Sequence, residues 1–377
     1  MKRAVKITAI VLASLIGLGI FIVAGYVIYV AAQYYRIEDS LQLDVSDRAQ
    51  AAVSLNTQYS IITYNLGFGA YSPEYSFFMD TGVMNDGSEV VGKYAKGLNS
   101  ADVKKNVDGQ IALARDIGAD FCFFQEVDEK ADRSYKINMR QEMETALSNY
   151  SSAFAQNFHT ANLLYPFSDP IGKSQSGILT LSRYKIESSV RRSFPITSAF
   201  PDKFFDLDRC FSLSYVSIEG SDKHLTLLNL HMSAYDEGGK IRAKQLEMLN
   251  RVLAEERASG NYVVAGGDFN HCLIADNFAT DSEALNYFKS EQAVPDWVKN
   301  SVLHSDEIAE GYVICAPVNE ATCRGADIPY KKGVNYSTVI DGFLVSDNIE
   351  IIQKRTVDTQ YAYSDHNPVY LEFRLKV

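Results

Sequence analysis

No two of the five cysteines (Cys122, Cys210, Cys272, Cys315, Cys323) are spaced CxxC, so neither a zinc ribbon nor a dithiol redox motif is expected. Basic residues are in deficit: 36 Lys and Arg against 47 Asp and Glu leave a net charge of −11. That balance argues against a strongly basic nucleic-acid-binding face, while leaving room for a local basic groove. No internal repeat at a period of roughly 20–50 residues is visible, which excludes solenoids and propellers. Nor does a Pro/Gly/Ser-rich linker divide the chain, so one large domain is more economical than two. What is present, 377 residues at 46% hydrophobic and 22% charged, fits a globular protein with a large core. Cys122 lies in an apolar run and reads as a buried thiol. Cys315 and Cys323 bracket a loop-like stretch and could pair if the domain lies outside the cell.

Charge is also missing from Ile7 to Ala32. At about 1.5 Å per helical residue, this run can cross a hydrocarbon core of roughly 30 Å. Lys2, Arg3 and Lys6 precede it, and Arg36, Glu38 and Asp39 follow, so the positive side is amino-terminal. Tyr26, Tyr29, Tyr34 and Tyr35 suit the outer interface. Val30-Ala31-Ala32 resembles a signal-peptide cleavage site, but the apolar region is about twice the usual length, which favours an uncleaved anchor. The expected layout is a cytoplasmic tail (1–6), a transmembrane helix (7–32), a polar stalk (33–57) and an extracellular catalytic domain (58–377). Three of the basic residues precede the helix, leaving 33 against 47 acidic ones outside, a net of −14.

Beyond the stalk, short β-rich runs alternate with helical ones. Strands are expected at Tyr59–Tyr64, Asp120–Phe124, Gly177–Leu181, Phe211–Ile218, His224–Leu230, Tyr262–Ala265, Thr338–Val345 and Pro368–Leu375. Val103, Val107, Ile111 and Ala114 recur at helical spacing, with Ser100 as N-cap and Gly118 as stop. Ile241 to Leu253 forms a second helix, ending near Gly260. Residues 68–99 make a long loop rich in glycine and aromatics, including Tyr71, Tyr75, Phe77 and Phe78. Loops of that length are functional or disordered. This one is too apolar for simple disorder and either packs as a local cluster or helps bind substrate.

Polar groups that bind metals and phosphates stand at the strand ends: Asn65, Gln125 and Glu126, His231, Asp268 and Asn270, with Asp341 inside a strand and Asp365-His366 before the last one. Each has a bland alternative. Asn65 could be a turn residue, Glu126 a helix cap, His231 a core histidine, and Asp268 and Asn270 an Asx-turn. Asp341 is harder to dismiss, because a buried carboxylate needs a partner. Rigid scaffolds present functional groups at strand ends, and one cleft could collect all of these.

In order, TYNLG, FFQEV, SGILTLSRYKI, LNLHMSA, GGDFN, IDGFLVS and SDHNPV resemble the motif set of the endonuclease/exonuclease/phosphatase superfamily, across about residues 58–377. Its members include DNase I-like nucleases, abasic-site endonucleases, neutral sphingomyelinases and inositol-polyphosphate phosphatases. The resemblance implies an α/β four-layer sandwich: two mainly antiparallel sheets face to face, helices outside, the active site at one end. It also implies Mg2+ (or Mn2+) held by Glu126, Asn65 and Asp365, since hard oxygen ligands suit that ion. His366 falls on the catalytic histidine, oriented by Asp341. Asp268 and Asn270 would orient the attacking water, and His231 would bind phosphate or assist the leaving oxygen. Asp268 and His366 remain alternatives for taking the water's proton.

Arg183 and Arg209 are further candidates to meet a phosphate, with surface ion pairs as their alternative. Some nuclease members place an acid near the equivalent of Arg183 to support the histidine matching His231, whereas Leu181-Ser182-Arg183-Tyr184 offers none. The reading is a membrane-anchored, Mg2+-dependent phosphoesterase acting on a lipid headgroup, sugar phosphate or other small phosphoester. The alternatives are an extracellular nuclease, which needs a basic track beside the cleft, and a catalytically silent binding protein. Against the last, every expected site residue type is present.

Overall fold

Along Gln58–Asn65, Tyr59 and Ile61 point between two sheets, while Ile62 and Tyr64 point towards a helical layer. This is the period-two alternation of a strand buried on both faces. A computed structural model describes residues 2–234 and 239–377. Helix α1 (Lys2–Gln33) precedes β1 (Leu41–Gln42), β2 (Val45–Ser46), β3 (Gln58–Asn65), the hairpin β4 (Thr81–Val83) and β5 (Glu89–Val91), and α2 (Ser100–Ile117). Then come β6 (Phe121–Asp128), α3 (Met139–Ala146), β7 (Ser151–His159), β8 (Gln175–Ser182), β9 (Ile186–Ser193) and β10 (Cys210–Ser217). β11 (His224–His231), α4 (Lys240–Ala258), β12 (Tyr262–Asp268) and β13 (Tyr312–Cys315) follow. The chain closes with β14 (Cys323–Arg324), β15 (Ser337–Thr338), β16 (Asp341–Ser346), β17 (Ile349–Thr356) and β18 (Val369–Leu375).

One seven-stranded sheet runs β1-β9-β10-β11-β12-β16-β13, and the other β17-β18-β3-β6-β8-β7-β2. Among the described strands each sheet holds one parallel pair, β11 with β12 and β3 with β6. Tyr59, Ile61, Phe121, Phe123, Val264 and Phe343 fill the space between the sheets. Helices α2 and α3 cover the second sheet through Val107, Ile111 and Met143. Helix α4 covers the first through Leu249, Val252 and Leu253. Each such side chain contributes about 1.5–3 kcal/mol on burial. The result is the four-layer sandwich.

Details differ from the expectation. Asn99, not Ser100, caps α2: its side-chain oxygen accepts the Asp102 N–H at 2.9 Å. Gly118 does stop that helix, at φ +59°. The segment read as a stalk is not free. β1 pairs with β9, β2 pairs with β7, and Val53 bridges to Ile218, so residues 41–53 zip onto the edges of both sheets. Unpaired edge groups of the sheets explain why a polar segment settles there. Helix α1 takes in residues 2–6, and Met1 lies outside the described residues. From Arg3 to Gln33 the helix is long and apolar enough to cross a membrane, with an 18-residue stretch of mean hydropathy 2.7. The cysteines are all free and buried. Cys315 faces the core between the sheets, whereas Cys323 belongs to the separate β14–β15 pair, so the two do not bridge.

Candidate active site

The register of three adjacent strands sets His231 beside Asp268 and Asp268 opposite Asp341. Three ionisable side chains therefore share one row at the end of the first sheet. Asp268 is the hub. Its Oδ2 accepts from Asn65 Nδ2 at 3.0 Å and lies 3.5 Å from His231 Nε2 and 3.8 Å from His366 Nε2. Its Oδ1 accepts the Asn270 N–H at 2.9 Å, an Asx-turn that leaves Oδ2 free to face the site. Gly267 makes the strand spacing possible: at φ +148°, a Cβ would fall 1.9 Å from the Leu230 carbonyl oxygen. Phe269 turns back into the core.

Across the sandwich, β6 slips register with β8 between Phe124 and Val127, and Glu126 takes φ +56°. A bulge of this kind re-aims a side chain, here out of the ladder and towards the site. Glu126 Oε1 lies 3.8 Å from His231 Nε2. Burial, reinforced by the Asp365 carboxylate, pushes Glu126 up to about 8. Gly67 lets the chain pass Asp365, since a Cβ at its φ of +53° would sit 2.9 Å from Asp365 Oδ1.

The Asp365-His366 segment is held by β14 and its preceding residue. The Arg324 N–H donates to the Asp365 carbonyl at 3.0 Å, and the Asn367 N–H to that of Thr322 at 2.7 Å. Thr322 Oγ1 also accepts the Ile340 and Asp341 N–H groups, at 3.0 and 3.1 Å. One residue, through its hydroxyl and its backbone carbonyl, thus ties the two halves of a dyad together: His366 Nδ1 meets Asp341 Oδ2 at 2.8 Å. Burial opposes charge on His366, but the Asp341 carboxylate outweighs it and holds the ring well above the usual imidazole range. Burial and Asp341 push Asp268 up to about 6. His231 is held well below the usual range, by burial and then by the Arg209 guanidinium.

Several buried polar atoms around this cluster have no hydrogen-bond partner among the described residues: His231 Nδ1, Asp341 Oδ1, and Arg209 Nε and Nη1. Such atoms are rare in native interiors, and a bound ion, an ordered water or a catalytic role accounts for them. Arg209 Nε stands 3.9 Å from Asp206 Oδ1, too far for a hydrogen bond. The donor set suits a divalent cation in two ways. Glu126 and Asp365 bring two carboxylates together, and no Lys or Arg among the described residues forms an ion pair with either. Asp268, Asp341 and His366 also offer ligand atoms that all lie within 4.8 Å of one another.

The sequence model of the endonuclease/exonuclease/phosphatase family matches residues 62–366, from β3 to the dyad histidine. The chain belongs to this family. Family members are hydrolases acting on phosphoesters, and they use divalent metal. An endonuclease/exonuclease/phosphatase from Beutenbergia cavernae shares the fold at a TM-score of 0.54 and 13% identity, over 85% of this chain and 72% of its own. ANGEL2, a 2',3'-cyclic phosphatase solved with adenosine-2',3'-vanadate, aligns at a TM-score of 0.51 and 14% identity, over 89% of this chain and 99% of its own. At these identities the likeness extends to the fold alone. No curated protein matches significantly.

For this endonuclease/exonuclease/phosphatase member, the structure gathers Asn65, Glu126, His231, Asp268, Asn270, Asp341, Asp365 and His366 at one end of the sandwich. Arg209 joins them, close enough to act on both Glu126 and His231. Arg183 does not. It follows β8 where Ser182 pairs with Phe121, the start of β6 and the end opposite Glu126. There its Nε donates to the Tyr150 hydroxyl at 2.7 Å, with the guanidinium over that ring. Asn65 and Asn270 are already engaged, Asn65 with Asp268 and Asn270 Nδ2 with the Met232 carbonyl at 2.9 Å. In the 68–99 loop, Phe68, Tyr71 and Tyr75 form a buried local cluster, and Tyr71 lies near enough to Asp365 and Glu126 to feel their charge.

Three supporting residues had been given no role from the sequence: Thr322, and Asn229 and Ser364 within the LNLHMSA and SDHNPV motifs. Asn229 Oδ1 accepts from Gln125 Nε2 at 2.8 Å, a polar tie between the sheets just beneath the site. Ser364 Oγ donates to the Asn65 carbonyl at 2.8 Å. Asn229 carried a usable signal, an amide inside the apolar run LTLLNL; a hydroxyl in a loop carries none.

Proposed function

We propose that this protein is a membrane-anchored, metal-dependent phosphoesterase that hydrolyses a lipid headgroup, sugar phosphate or other small phosphoester outside the cytoplasmic membrane. The observation that carries the reading is Asp268, in reach of Asn65, His231 and His366 at once. Glu126, with Asp365 and Asn65, would hold Mg2+ or Mn2+, which supplies charge neutralisation at a phosphoryl oxygen and at the leaving oxygen. The protein's own groups do the rest. Asp268, raised to about 6, is poised near neutral pH to accept the proton of a water as its oxygen bonds to phosphorus. His366, kept cationic by Asp341, would hold the phosphate's negative charge, which favours Asp268 over it as the proton acceptor. Asn270 would steady the water, while His231 and Arg209 face the phosphate from the Glu126 side. The bond from phosphorus to the leaving oxygen then breaks.

The three basic residues before the apolar helix favour an amino terminus in the cytoplasm and a domain outside. The net of −14 beyond the helix weighs against nucleic acid as the main substrate. The test is turnover by the full chain in detergent or nanodiscs, with Mg2+ or EDTA. The panel holds plasmid DNA, sphingomyelin, phosphoinositides, sugar phosphates and a chromogenic phosphodiester. Turnover of a lipid or small ester that EDTA abolishes is expected. A folded protein silent on the whole panel, or active on DNA alone, would overturn the proposal.

A further inference from the structure

Among the described residues, the connections that carry the most exposed aromatic residues of the domain rise from the same end as the active site. The β7–β8 loop joins His159 to Gln175, and Ser176 pairs with Asp128 at the site end of β6. The β9–β10 connection runs from Ser193 to Cys210, and Phe211 pairs with Leu230, next to His231. On the first loop Tyr165 is 51% and Phe167 86% exposed; on the second Phe200 is 64% exposed. These rings are not scattered: Tyr165 lies 6.5 Å from both Phe167 and Phe205, and Phe200 5.7 Å from Phe204, and a contiguous exposed apolar patch marks an interaction surface.

Helix α1 says what that surface meets. Its outer end docks onto these two loops. Tyr26 Oη donates to the Asn162 carbonyl at 3.2 Å and accepts the Leu164 N–H at 2.9 Å. Tyr34 meets Phe204 edge-on at 5.5 Å, and Tyr35 stacks on His159 at 3.8 Å. Arg36 pairs with Asp208 at 2.7 Å, one residue before Arg209 of the site. From Ile7, just after the last inner charge, to Tyr26 the helix rises about 30 Å, the thickness of a hydrocarbon core. Counted from Ile7, the outer boundary falls near Tyr26, inside the 7–32 span read from the sequence, and the backbone at 162–164 that binds its hydroxyl lies at the same depth. Tyrosine and phenylalanine are at home there.

We infer that the domain rests with its active-site end against the bilayer, with Tyr165, Phe167 and Phe200 inserted in the interfacial layer, so that the site receives phosphoesters displayed on the membrane surface. The substrate class rests on the phosphoesterase reading; the orientation does not.

The test uses the full chain in phospholipid vesicles, with its one tryptophan removed by Trp297→Phe. Single tryptophans are placed by Phe167→Trp, Phe200→Trp or, as a control, Val377→Trp. Val377 is 91% exposed and lies beyond Arg374, which pairs with Gln58 at the opposite end of β3. Lipids brominated near the glycerol end of their chains should quench positions 167 and 200 several-fold more than 377. Equal quenching at all three positions would overturn the orientation, whether or not the enzyme turns over. A second arm combines Phe167→Ser with Phe200→Ser. Release of headgroup phosphate from mixed phospholipid vesicles should fall at least tenfold, with hydrolysis of a soluble chromogenic phosphodiester unchanged. Loss of both activities alike in the variant, or a wild type that turns over the soluble ester but no lipid, would overturn the membrane-substrate assignment and leave the phosphoesterase reading standing.

Discussion

Asp268 and Asp341 stand directly opposite each other across the antiparallel pair β12–β16. Two carboxylates in that position repel, and His366 relieves them, with Nδ1 2.8 Å from Asp341 and Nε2 3.8 Å from Asp268. His366→Ala removes the shared cation. Two effects should follow: a loss in kcat of about 10²–10⁴-fold, and a shift of the acidic limb of the pH–rate profile to higher pH, because Asp268 then faces Asp341 uncompensated. A profile that keeps its limb near pH 6 would show that Asp268 is not the titrating group.

The Glu126 carboxyl makes a prediction about metal that needs no substrate. Its pKa is raised from an ordinary 4.5 to about 8. Between those values the unfolded chain has released the proton while the folded one retains it, so metal-free stability falls as pH rises through that window. Glu126→Gln removes the penalty. In EDTA at pH 8 the variant should melt above the wild type; with excess Mg2+ the wild type should gain and the variant should not. Equal Mg2+ responses in the two proteins would remove Glu126 from the metal set.

How much of this was legible depends on whether a signal was local. The strands beneath the site carry apolar runs, as in Phe121–Phe124 and Tyr262–Ala265, and most were placed from sequence and extend one or more residues further. The expected Thr338–Val345 is split, with Thr338 in β15 and β16 beginning at Asp341. Ser151–His159, Ile186–Ser193 and Ile349–Thr356 were not expected as strands. β9 and β17 expose many of their residues near the sheet edges, so their sequences (IESSVRRS, IEIIQKRT) lack a clean pattern. β7 owes its burial to neighbours rather than to hydrophobicity, with Ser151, Ser152 and Asn157 all inside. Tertiary context likewise separates the two arginines. Arg183 and Arg209 look alike in sequence, but β8 and β10 deliver them to opposite ends of the sandwich. Thr322 shows the limit most plainly: its role is a hydroxyl accepting two N–H groups some twenty residues away, and no local pattern encodes that.

Arg209 is buried with Nε and Nη1 lacking a hydrogen-bond partner, and its one counter-charge in ion-pair reach among the described residues, Asp206 Oδ1, stands 3.9 Å away; a buried cation held so loosely is under-satisfied in a way an anion would relieve. Arg209→Met keeps the stem and removes the charge. The free protein should be as stable as the wild type or more so, while KM for an anionic phosphoester rises roughly tenfold or more, the loss expected for a charge-assisted contact. Thermal melting and initial-rate kinetics on one preparation decide it. A destabilised variant with unchanged KM would make Arg209 a structural residue.

His271 follows Asn270 but turns away from the chemistry: its Nδ1 meets the Phe269 carbonyl at 2.6 Å. Burial lowers its pKa from the ordinary 6.5 to about 4. Above pH 6.5 neither state is protonated at this residue, and its contribution is constant. As pH falls from 6.5 towards 4 the unfolded chain takes up a proton that the folded one refuses, and stability drops. Below 4 both are charged and the loss levels off. The full loss from this group is on the order of 3 kcal/mol. His271→Gln keeps a donor near the Phe269 carbonyl and has nothing to titrate, so the gap between variant and wild type should shift in the variant's favour on going from pH 7 to pH 4. Urea unfolding of both proteins at the two pH values measures it. Because other carboxylates and His231 also titrate in this range, the difference between the two proteins is the diagnostic quantity. If that difference is flat across the range, His271 is charged in the fold or exposed in it, contrary to the packing that surrounds it.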